Sequence, residues 1–186
     1  MMTDPQYKAM TSFLKDLGTD SVPHTETVFL AHLVGVYNDL REWNASQDVC
    51  RAGMFHSIYG TEMFQDFALT LDRRDDVREL IGEHAELVAW VNCVMDRSTF
   101  DAQIDGSAPY AIRDRTTGDT ITLDEQQFND LCTVHLCDWL EQLPRLGKWD
   151  FRRDAYRGLA ERLGGVALES FERVFADEPT HAAGTS

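Results

Sequence analysis

No run of apolar residues in this chain approaches the roughly 20 that a helix needs to cross a bilayer. That excludes a helical membrane-spanning protein. No two cysteines are spaced as CxxC; Cys50, Cys93, Cys132 and Cys137 each sit among apolar neighbours and read as reduced core thiols, not a zinc or disulfide set. The opening Met-Met-Thr-Asp-Pro has neither the basic nor the apolar region of a secretory signal, so a cytoplasmic location is expected. Basic residues are scarce, 17 Lys and Arg against 32 Asp and Glu, for a net charge of −15. Such a chain repels phosphate backbones and anionic lipid, which argues against nucleic-acid polymers and membrane surfaces as partners. A small-molecule substrate is the expected partner. Internal repeats and low-complexity stretches are also absent.

What is present suits one domain. With 186 residues and 43% apolar composition, residues 1–178 are expected to share one core, and the small polar tail 179–186 to be disordered. The periodicity is mainly helical. Residues 5–17 make an amphipathic helix stopped by Gly18, and 19–25 form a loop holding Pro23 and His24. Residues 26–43 repeat apolar groups at Phe29, Leu33, Val36, Tyr37 and Leu40. Ser46 caps a helix from Gln47 to about Ile58, and a long helix is expected over 73–96. The period then changes to two: residues 110–123 alternate about Thr117-Gly-Asp119 and predict a β-hairpin. Asp124 caps a helix to Leu143, ended by Pro144 and Gly147, and two more helices follow at 151–163 and 166–176. The expected fold class is all-α with one inserted hairpin.

The chain is organised around Ala52-Gly-Met-Phe-His-Ser-Ile-Tyr-Gly-Thr-Glu62. An apolar helix there ends in His56, Ser57, Tyr59, Thr61 and Glu62, which gathers proton-transfer and ligand groups where regular backbone stops. Upstream, His32 lies inside the apolar stripe of the preceding helix, 24 residues before His56. Consecutive helices that each present one inward histidine are a common way to build a metal site in a helical core. Two unrelated core histidines bonded to carbonyls would show the same spacing.

These residues resemble the HD superfamily of metal-dependent phosphohydrolases, nearest its alarmone-hydrolase branch. There a helix bearing a metal-binding His is followed, after a similar interval, by an apolar helix ending in His-Asp. Leu69 to Val88 is similar to the acidic, glycine-containing stretch that follows. His135-Leu-Cys-Asp138-Trp-Leu-Glu-Gln-Leu143 is similar to the later segment whose Asp completes the family's metal site. The Phe55-His-Ser-Ile-Tyr-Gly-Thr61 string also resembles that of an uncharacterised bacterial family. The likeness covers about residues 24–143 and departs where it matters: Ser57 stands in place of the defining Asp, and Gly60 and Thr61 replace a Glu-Asp pair. A dinuclear centre is therefore not expected.

The resemblance implies an HD-like helical bundle in which His32, His56 and Asp138 hold one divalent metal, Mn, Fe or Zn. It implies hydrolysis of a small, phosphorylated metabolite or nucleotide. Glu62 would serve as general base with Tyr59 beside it. His24, Ser57, Thr61, Asp96 and Arg97 would contact substrate, and Asp96 is the alternative metal ligand. Two other readings stand beside it: an inactive HD-like ligand- or partner-binding protein, favoured by the missing carboxylates, and an HD-type iron oxygenase.

Overall fold

Leu33, Val36, Tyr37 and Leu40 are all buried on one face of α2, Pro23–Glu42, as their spacing requires. The helix takes in Pro23 and residues 24 and 25, which the sequence placed in a loop. The computed structural model describes residues 4–17, 23–65 and 69–179, with the side chains of α2 described from Phe29 on. The segments 1–3, 18–22, 66–68 and 180–186, the last being the expected tail but for residue 179, lie outside the described residues. Before α2, α1 (Tyr7–Leu17) buries Met10 and Leu14. After it, Asn44 takes a left-handed φ of 57° and Ser46 accepts a hydrogen bond from the Val49 amide, which starts α3, Gln47–Phe55. Gly53 allows α3 to approach α2: a Cβ there would stand 2.2 Å from the Leu40 Cδ1.

The helix expected over 73–96 is two helices. A 3-10 turn at Leu71–Arg73 leads into α4, Arg74–Ile81, and α5 runs Glu83–Val94. They meet at Gly82, whose φ of 96° no ordinary side chain adopts readily. The break has a physical reason in Glu86, which is fully buried and accepts hydrogen bonds from Tyr59, Arg74 and Arg78. In one straight helix, twelve residues at about 1.5 Å each would hold Arg74 some 18 Å from Glu86. Folding at Gly82 brings the guanidinium to 2.6 Å.

Asp96 caps a short helix, α6 (Arg97–Asp101), which the sequence reading missed. The hairpin is where alternation put it, β1 (Tyr110–Arg113) pairing with β2 (Thr120–Leu123) in antiparallel register Tyr110↔Leu123 to Arg113↔Thr120. Tyr110 stacks on Phe128 at 4.0 Å, which seats the hairpin on α7, Glu125–Leu146. An Asp124–Gln127 capping box starts α7. Pro144 lies within its last turn and does not end it; the left-handed Gly147 does. α8 (Arg153–Leu163) and α9 (Gly165–Ala176) then pack on α7.

The centre is built from α2, α3, α5 and α7, and the buried apolar side chains form one continuous cluster. All four cysteines are buried and free. Among the described residues no helix is long and apolar enough to cross a membrane.

Removing Glu86 would leave two arginines without their buried partner. Water reaches both guanidiniums, but the buried Tyr59 hydroxyl would lose its acceptor at a cost of about 1–3 kcal/mol, so Glu86→Ala is expected to lower the thermal midpoint by several degrees. A calorimetric melt indistinguishable from wild type would show that the fold at Gly82 does not depend on this carboxylate.

Candidate metal centre

Three of the four central helices bring one polar side chain each to a common point. His32 projects from α2, His56 from the turn that ends α3, and Asp138 from the middle of α7. Their ligand atoms form a nearly equilateral triangle: His32 Nε2 to His56 Nε2 is 3.3 Å, His32 Nε2 to Asp138 Oδ1 is 3.1 Å, and His56 Nε2 to Asp138 Oδ1 is 3.2 Å. Adjacent ligand atoms around a single ion at bond lengths of about 2.1 Å stand roughly 3.0–3.4 Å apart in octahedral or tetrahedral geometry. The triangle fits that spacing on all three edges.

The proton positions follow from the partners on the far side of each ring. His56 Nδ1 lies 2.7 Å from the Gly53 carbonyl oxygen, which can only accept. His32 Nδ1 lies 2.5 Å from Glu141 Oε2, also an acceptor. Both Nδ1 atoms therefore donate, and in the neutral rings both Nε2 lone pairs face Asp138. Three acceptors at this distance repel one another unless a cation sits among them. The outer partners are those that orient histidine ligands in metal sites. A proton can also serve: burial opposes charge on His32, but hydrogen bonds to Asp138 and Glu141 outweigh it and hold its pKa up at about 9. Burial likewise opposes charge on Asp138, and the two histidines still hold its carboxyl well below the usual range.

The support reaches further. Glu141 is bidentate with Arg145 at 2.7 and 2.9 Å. Gly35 leaves room for it, since a Cβ there would stand 2.8 Å from Glu141 Oε1. Gln142 donates to Asp138 Oδ1 at 2.9 Å. The His56 carbonyl accepts from Asn92 at 2.8 Å, and Asn92 in turn bonds His135, whose other nitrogen accepts from Arg152. Burial and then Arg152 push the His135 pKa well down, and both its ring nitrogens are engaged, by Asn92 and by Arg152. From the hairpin side, Arg115 donates to the Gly60 and Cys93 carbonyls at 3.0 Å each, pinning the loop after His56 to α5.

The triangle forms part of the wall of a cavity of about 640 Å³. Ser57, Thr61 and Arg97 line it as well. Ser57 Oγ is buried without a hydrogen-bond partner, as is Trp139 Nε1, another lining residue. Thr61 Oγ1 accepts from the Phe64 amide. The remaining expectations need correction. Tyr59 donates to Glu86 at 2.9 Å and does not line the cavity; burial and the Glu86 charge push its phenol upward, so it holds structure together. Glu62 is 47% exposed, lies outside the lining and reaches only Arg97, at 3.8 Å, so nothing places it as a base. Asp96 is occupied in capping α6, where it accepts from Ser98 and Thr99, and it is not a fourth ligand. The side chain of His24 lies outside the described residues.

The family model that matches the chain is described as a domain of unknown function (DUF6817) and covers residues 13–97. The matched stretch contains both histidines of the triangle and stops before α7. No curated protein and no solved structure matches the chain.

Glu141 is the partner that the sequence reading missed. Loss of such an outer partner typically weakens metal binding about 10–100-fold. Glu141→Ala is expected to do so for Zn²⁺ or Mn²⁺ in a titration, with folding retained. An unchanged affinity would show that His32 needs no orientation from behind.

Proposed function

We propose that this chain is a divergent HD-like metal-dependent hydrolase of a small, phosphorylated metabolite, with one divalent cation held by His32, His56 and Asp138. The observation that supports it is the triangle of three acceptor atoms, each ring held from behind, opening on a cavity with cationic residues. Two imidazoles and one carboxylate suit Mn, Fe or Zn better than Mg, which prefers oxygen ligands. Such a cation supplies Lewis acidity, lowering the pKa of water and polarising a phosphoryl oxygen.

The protein's own residues do the rest. Arg97 is 16% exposed, makes no hydrogen bond among the described residues and has Glu62 at 3.8 Å as its nearest carboxylate. Its guanidinium is free to clamp a phosphoryl group in the fork geometry arginine favours. Ser57 contributes an unengaged hydroxyl. In hydrolysis, water adds to phosphorus, the ester P–O bond breaks, and the proton from water ends on the leaving oxygen.

A second reading, a protein that binds the same ligand without cleaving it, has one specific observation in its favour. Asp138 is the only carboxylate among the described lining residues, so no second one stands ready as base. Ser57 in place of the superfamily's Asp points the same way.

Protein purified without chelator is expected to carry Mn, Fe or Zn and to release phosphate from members of a phosphomonoester panel. His56→Ala should lower metal content at least several-fold and abolish release. Bound metal without turnover would support the binding reading. Equal metal in wild type and His56→Ala would contradict both.

A further inference from the structure

We infer that the cavity takes an amphiphilic anion, a phosphoryl head deep against the triangle carrying an apolar aryl- or alkyl-sized body at the mouth; the head's placement rests on the metal-centre reading above. The polar end is defined by what its side chains lack. Ser57 Oγ and Trp139 Nε1 belong to residues 4% and 6% exposed, and neither atom has a partner among the described residues. Arg97 adds a mostly buried guanidinium with no hydrogen-bond acceptor among the described residues, its ion pair with the exposed Glu62 standing at 3.8 Å. Trp and Arg can only donate, and a serine hydroxyl can. Leaving such donors unpaired is costly in a dry site, and the complement to three donors in the lining of one cavity is a group rich in acceptors with negative charge. Lys148, exposed in the same lining and without a carboxylate partner among the described residues, adds charge of the same sign. In a chain of net charge −15, this concentration of cations around one carboxylate is selective for an anion.

The other end is apolar and open. Among the described residues four large hydrophobic side chains are exposed, and two of them, Met63 at 61% and Leu146 at 47%, line this cavity. Behind them Phe64 stacks on Phe29 at 5.0 Å, and Phe151 tilts against Trp139 at 5.2 Å. Exposed apolar side chains gathered at a cavity mouth mark a place where apolar ligand surface is covered. Size agrees. A bare phosphate would leave most of about 640 Å³ to water, whereas sites for larger organic ligands span about 300–1,000 Å³. A sugar phosphate would satisfy the donors but set hydroxyls against Met63 and Leu146.

The test uses two non-hydrolysable probes, methylphosphonate and phenylphosphonate, titrated calorimetrically into Zn²⁺-loaded protein. Phenylphosphonate is expected to bind at least tenfold more tightly, because its ring is covered at the mouth. The double variant Met63→Ser, Leu146→Ser, altered only at exposed positions, should bring the two affinities close together with methylphosphonate little changed. Arg97→Gln should weaken both probes at least tenfold while zinc affinity is kept. Equal affinity for the two probes, a preference that survives the double variant, or no binding of either probe would overturn the inference. Neither phosphonate can be hydrolysed, so absence of turnover on phosphomonoesters would remove the hydrolase reading and leave this result standing.

Discussion

Two imidazole nitrogens and one carboxylate oxygen face each other at 3.1–3.3 Å, with both rings committed to donate elsewhere. No arrangement of neutral rings and a carboxylate is favourable at that spacing without a shared positive charge. The histidines stand on two helices joined by a short turn, and the carboxylate comes from a third helix much later in the chain. The bundle of α2, α3, α5 and α7 therefore holds together three groups that need a shared positive charge, which a proton on His32 or a cation among the three can supply.

The scaffold does this through close approaches and through anchors behind the centre. Gly53 lets α3 settle on Leu40, and its carbonyl receives the His56 proton. Gly35 leaves space for Glu141, which ties His32 to Arg145 at the edge of the cavity. Arg115 reaches in from the loop of the hairpin to hold the backbone at Gly60. The hairpin, the one sheet among the described residues, thus bears on the site without supplying any of the triangle's three ligand atoms. Glu86, near the start of α5, plays a similar part, its buried carboxylate accepting from Tyr59 and from two partly exposed arginines.

Much of this was legible in the sequence. Helical spacing marked His32 and His56 as inward, because each lies among apolar residues that must be buried. The alternation over 110–123 marked the hairpin, and Ser46 and Asp124 marked two helix starts. Asp138 was reached only by resemblance; nothing in its local pattern separates it from a structural carboxylate. Less legible was the direction of the polar residues after His56. They are contiguous in the chain but diverge once the helix ends, Ser57 and Thr61 to the cavity, Tyr59 to Glu86, and Glu62 to solvent. Glu141 had a signal, since it stands three residues after Asp138 and so shares its helical face. The Gly82 break was hidden because apolar periodicity continues across it, and what decides it is the long-range pull of Glu86 on Arg74 and Arg78.

Ligation by the triangle is read most directly from what surrounds a bound ion. Metal-edge X-ray absorption on zinc-loaded protein should show two imidazole scatterers and oxygen at bond lengths of about 2.0–2.1 Å. One imidazole should be lost in His32→Ala, and likewise in His56→Ala. A spectrum without imidazole scattering, or one that neither substitution changes, would place the metal elsewhere and contradict the central claim.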